Sequence, residues 1–163
     1  MASRLLLAAA LLSLPGWAQA KRYSGPRPAN ADVPYLLHAG QLVQVEDTEA
    51  RSSQEKGGTL YTISGAGSNI RTPVPEPVFL FKSDKLNPDR FTLFKMESRG
   101  ANRTLLIPPL GKSGKKDQGK PVFLLVSNLA PGLFKIEVNE VLDPGEYCLS
   151  PEGSMRAFCF ASF

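Results

Sequence analysis

Glu146-Tyr147-Cys148-Leu149-Ser150-Pro151-Glu152-Gly153-Ser154-Met155-Arg156-Ala157-Phe158-Cys159-Phe160 is the stretch on which the fold turns. Gly153-Ser154 suits a two-residue hairpin loop. Folding back there sets Glu152 opposite Met155, Pro151 opposite Arg156, Leu149 opposite Phe158 and Cys148 opposite Cys159. Because side chains alternate across a strand, Tyr147, Leu149, Phe158 and Phe160 share one face and the two cysteines share the other. Directly opposed residues of an antiparallel pair lie roughly 4.5 to 5.5 Å apart at Cα, within the disulfide range of about 4.4 to 6.8 Å. Alternation, turn chemistry and cysteine spacing agree on one register, with Cys148 bonded to Cys159. A redox pair would call for the close Cys-x-x-Cys spacing and helix N-terminus that activate a thiol, and the sequence has neither. The pair is therefore read as a staple.

Just upstream, Asp143-Pro144-Gly145-Glu146-Tyr147 is similar to the PGEY-type strand openings of Ig-like and related secreted β-domains. Together with the closing Phe158-Cys159-Phe160, it resembles secreted bacterial β-domain proteins with such a C-terminal hairpin. The resemblance covers roughly the last twenty residues. It implies a sandwich-like domain and brings no catalytic residues with it.

Working back from the hairpin, the apolar and charged residues of Phe134 to Val138 alternate, which predicts a strand with one buried face. Val122 to Val126 is a continuous apolar run, as in a central strand buried on both faces. Phe91 to Met96, Arg103 to Ile107, Val78 to Phe81, Thr59 to Ile63 and Leu42 to Val45 supply further strands. The turn at Asn87-Pro88-Asp89 precedes Phe91. Gly65 to Pro77, with alternating Pro73, Pro75 and Pro77, reads as a rigid connection between sheets. The polar run Glu46 to Gly58 has no apolar stripe and could hold an exposed helical turn or two. No strand is followed by an amphipathic helix, which disfavours βαβ units. The expectation is an all-β domain, a single β-sandwich or open β-barrel of about eight or nine short, mainly antiparallel strands.

At the other end, Arg4, the apolar run Leu5 to Leu14, the Pro15-Gly16 break and Ala18-Gln19-Ala20 follow the order of a secretory signal. Ala18 and Ala20 are the cleavage-site residues, and residues 1 to 20 are read as removed. The apolar run is shorter than the roughly 20 residues of a membrane-crossing helix. The domain plan is thus a signal peptide at 1–20, an extended and poorly ordered lead-in at 21–34, and one β-rich domain at 35–163. Export makes an even cysteine pair a disulfide and sets the location as extracytoplasmic, periplasmic or secreted, with no membrane span once the signal is gone.

The chain holds 19 Lys plus Arg against 15 Asp plus Glu, and one of those cations, Arg4, lies in the leader. So mild an excess falls short of the clustered basic footprint of a nucleic-acid binder. Gly114 to Lys120 imitates the start of a P-loop, but Pro121 stands where a Mg²⁺-binding Ser or Thr belongs and an apolar strand follows where a helix is needed. His38 is the only histidine. As a catalytic base it would need a serine and an orienting carboxylate, and no Gly-x-Ser-x-Gly elbow accompanies it. Paired carboxylates for hydrolysis meet in space rather than in sequence. Asn102-Arg103-Thr104 matches the N-glycosylation pattern. Catalytic, metal and cofactor-binding residues are accordingly read as none. The function expected is a non-enzymatic module binding a protein or cell-envelope partner, with a small hydrolase using His38 or a carboxylate pair as the alternative.

Overall fold

Ala39 and Gly40 both adopt positive φ, 48° and 78°, and turn strand β1 (Pro34–His38) directly back onto β2 (Gln41–Gln44). Two successive positive φ values match the right-handed twist of a two-residue hairpin. The computed structural model describes residues 23–109, 111 and 119–163. Residues 1–20, read from the sequence as an export signal with Ala18 and Ala20 at its cleavage site, and most of the Gly114 to Lys120 loop lie outside them. Within them follow β3 (Glu46–Glu49), β4 (Arg51–Glu55), β5 (Gly58–Ser64), β6 (Arg71–Thr72), β7 (Val78–Lys82), β8 (Phe91–Arg99) and β9 (Asn102–Ile107). The chain closes with β10 (Pro121–Val122), β11 (Leu124–Ala130), β12 (Leu133–Val138), β13 (Gly145–Pro151) and β14 (Arg156–Ser162). A 3₁₀ turn, Pro88–Arg90, capped by the Asn87 side chain, leads into β8.

The architecture is all-β and built from two antiparallel sheets, apart from one short parallel pairing of β6 with β14. The smaller sheet runs β11-β12-β7-β1-β2. The larger runs β3-β14-β13-β8-β9-β5-β4 and curls strongly. Its two ends, β3 and β4, are successive in the chain and separated only by Ala50. One continuous segment thus pairs with β14 through its first half and with β5 through its second, so the hydrogen-bonded circuit returns to where it began. The sheet is thereby curled into a half-barrel, with β3 and β4 each paired along one edge.

That closure corrects the helical turns expected in Glu46 to Gly58. The segment is polar because β4 is exposed along its length and the fold uses its backbone; backbone pairing leaves no trace in side-chain pattern.

The outer face of the large sheet packs on the small one. Phe79, Phe81, Ile136 and Val138 from the small sheet meet Leu93, Leu149, Phe158 and Phe160 from the large. Aromatic contacts tie the layers, with Phe79 and Phe160 ring centres 5.1 Å apart. The inner face holds a second apolar cluster built on Ile63, Met96, Leu105, Cys148, Ala157 and Cys159. Strands β13 and β14 are therefore buried on both sides, and the split of Tyr147, Leu149, Phe158 and Phe160 from the cysteines is the split between the two cores. The Cys148 to Cys159 disulfide forms at the expected pairing, with Leu149 opposite Phe158.

The turn of this hairpin differs from expectation. Ser154 N–H donates to Pro151 O at 3.2 Å and Gly153 takes φ 71°, so the tight turn is Pro151 to Ser154 with glycine in its third position. The cross-strand ladder ends at Leu149 and Phe158, and Pro151 lies opposite Phe91 of β8 rather than Arg156.

The apolar run Val122 to Val126 is not one central strand. Val122 belongs to β10, paired with β8 in the large sheet, while Leu124 onward is β11, the edge of the small one. Phe123, at the crossing point, is 61% exposed. The run is apolar because it borders both cores in turn. The lead-in at 21–34 is tied down from Pro28: Pro28, Val33 and Pro34 are buried, Asp32 N–H donates to Lys82 O, and Ser83 Oγ donates to Asp32 at 2.6 Å. The 65 to 77 connection runs from the large sheet to the small one, through β6.

Candidate functional site

Alternation selects what lines the interior of the curled sheet. Leu105 and Ile63 face inward, so Arg103, two residues before Leu105 and directly opposite Ile63, faces inward as well. A buried guanidinium needs counter-charge and hydrogen-bond acceptors, and the structure supplies both. Arg103 Nη1 and Nη2 donate to the two carboxylate oxygens of Glu46 at 2.8 and 2.6 Å. Its Nε and Nη2 also donate to the carbonyls of Gly65 and Ser64 at 3.1 Å each. Glu146 lies 3.9 Å from Nη1 and accepts a hydrogen bond from Ser68 N–H at 2.8 Å. Residues 65 to 68 thereby cap one end of the interior, above a cluster of one guanidinium and two carboxylates.

The other end is open. It leads into a cavity of about 170 Å³. Its walls are Tyr61, Ile63, Phe94, Met96, Leu105 and Ile107, with the Cys148 side of the disulfide and the small residues Ala50 and Ala157 completing the ring. Thr92 and Ser150, which are opposite one another, and the turn Glu152 to Ser154 stand at its mouth. Ser150 Oγ is committed to backbone carbonyls, the nearest being Arg156 O at 3.1 Å, and Glu152 is paired outward with Arg90 at 2.5 Å. Among the described residues, no hydrogen bond engages the hydroxyls of Tyr61 or Thr92.

The other sequence candidates lie apart from this cavity. His38 is exposed at the tip of the β1–β2 hairpin, on the small sheet, and no hydrogen bond among the described residues involves its ring. The carboxylates that the fold does gather, Glu46 and Glu146, are engaged by Arg103 and Ser68. Ser64 contributes its carbonyl to Arg103, and its side chain is exposed. Asn102 is exposed at the start of β9. Among the described residues, no group of three or more His, Cys, Asp or Glu side chains is placed to hold a metal ion.

Sequence reading missed the ion cluster and the cavity. For Arg103 a signal existed, since the period-two pattern Arg103, Leu105, Ile107 sets a charge on an apolar face. For Glu46 none did, because its partner is 57 residues away. No protein-family model, curated protein sequence or solved structure matches this chain.

Proposed function

We propose that this protein is an exported, non-enzymatic binding module that engages a protein or cell-envelope component through the interior of its curled sheet. The observation that carries the reading is the apolar cavity inside the curled sheet, open at one end, on the same inward face as the Arg103 cluster. Such a site offers burial and shape, whereas acid–base or nucleophilic catalysis requires free, convergent polar groups. The disulfide suits an oxidising compartment, and among the described residues no helix is long and apolar enough to cross a membrane; both are compatible with an extracytoplasmic location. The hydrolase alternative gains no support from His38, which stands alone on a hairpin tip.

The test is affinity capture with the disulfide-bonded protein from the envelope and medium of its host, beside a turnover panel of esters, peptides and glycosides. A reproducible bound component without turnover supports the module. Turnover abolished by His38→Ala or by Glu146→Gln would overturn it.

A further inference from the structure

We infer that the cavity inside the curled sheet is a binding site for a small, uncharged, apolar molecule, a single ring or a chain of about six carbons, carrying at most one hydrogen-bonding group. The inference rests on the binding-module reading and narrows it to a ligand class.

Size sets the first limit. A cavity of about 170 Å³ is close to the roughly 150 Å³ apolar cavity that accommodates benzene in an engineered protein core. Charge sets the second. The only ionisable side chains among those lining the cavity are Tyr61 and Glu152, and Glu152 turns outward to Arg90. Arg103 already has four hydrogen bonds to Glu46, Gly65 and Ser64, so an anion entering the cavity would find no free cation to meet it. Polarity sets the third. The hydroxyls of Tyr61 and Thr92, unclaimed among the described residues, can orient one donor or acceptor on the ligand.

A free molecule fits the mouth better than a side chain offered by a macromolecule. Protein interfaces surround an inserted anchor with further apolar surface. Here Glu152, Gly153 and Ser154 occupy the rim, and Met155 is the one exposed large hydrophobic residue on that turn. The other exposed large hydrophobics, such as Phe123, Leu125 and Val141, belong to segments outside the cavity lining.

The experiment titrates the disulfide-bonded protein with benzene, phenol and 1-hexanol, and with hexanoate and benzylamine as charged counterparts. Thermal melting and NMR of the Met96 methyl and the Ile63 and Leu105 side chains report binding. The neutral probes are expected to raise the melting temperature with concentration and to shift those signals, and the charged ones to bind at least about tenfold more weakly because they lose their hydration without gaining a partner. Ala50→Leu, which places a side chain in the cavity, should abolish probe binding while the outer-core signals of Phe158 and Phe160 remain in place. The inference fails if no neutral probe binds, if hexanoate binds as well as 1-hexanol, or if Ala50→Leu still binds. A macromolecule captured by wild type but not by Ala50→Leu, with no neutral probe bound, would overturn this inference and leave the binding-module reading standing.

Discussion

The guanidinium of Arg103 on β9 and the carboxylate of Glu46 on β3 meet in two parallel hydrogen bonds, 2.6 and 2.8 Å long, across the inside of the curled sheet. The Arg103 side chain is fully buried, and that of Glu46 is 29% exposed. The two strands are not neighbours: β14, β13 and β8 separate them in the sheet order. The pair therefore acts as a strut that holds the curl.

Removing one member of this pair should be costly. Arg103→Met is expected to destabilise the protein by about 3 kcal/mol in urea unfolding, since it leaves carboxylates and the 64 to 65 carbonyls without their donor. The surface pair of Arg90 and Glu152, whose side chains are 66% and 59% exposed, gives the control: Glu152→Ala should cost under about 1 kcal/mol. Equal losses for the two variants would show that Arg103 is no strut.

The staple should act chiefly on the unfolded chain. Closing the short loop between Cys148 and Cys159 is expected to stabilise by roughly 2 to 3 kcal/mol. The double variant Cys148→Ala, Cys159→Ala avoids placing hydroxyls in the inner core and should melt lower than the oxidised protein, with its β-sheet circular dichroism retained. Coincident melting curves would remove the stabilising role of the bond.

Tyr147 predicts an alkaline limit. Burial, then the nearby charges of Asp143 and Glu140, push its phenol from 10.0 up to about 12, while its hydroxyl donates to Asp143 O at 2.9 Å. Below pH 10 the group is protonated in both folded and unfolded chains. Above that the unfolded chain loses the proton first, so stability should fall with rising pH until the folded phenol also titrates near 12. Tyr147→Phe should flatten this part of the stability profile, and absorbance at tyrosinate wavelengths should show one phenol in the wild type titrating late. A late component that persists in Tyr147→Phe would assign it elsewhere.

Core and edge should respond differently. Phe158, wholly buried between the sheets, is expected to cost about 3 to 5 kcal/mol when cut to alanine. Leu125, on the edge strand β11 and 48% exposed, should cost less than about 1 kcal/mol, as an apolar side chain already half in water. Similar denaturation midpoints for Phe158→Ala and Leu125→Ala would contradict the assignment of β11 to the edge.

The local sequence around the last hairpin determined its strands, its register, its two faces and its disulfide, because alternation and a turn act over a few residues and the cysteines add a distance constraint. The all-β class was legible for the same reason. Its limits appear where pairing partners are remote. Val122 to Val126 reads as central from its apolarity, yet only the placement of two sheets decides that Phe123 crosses between them and Leu125 faces water. Glu46 to Glu55 reads as polar surface, and only the approach of β14 on one side and β5 on the other makes it the segment that closes the curl. The cavity exists because that closure sets Ala50 and Ala157 against larger neighbours. Such volumes arise from side chains far apart in the chain, whose packing no periodicity records.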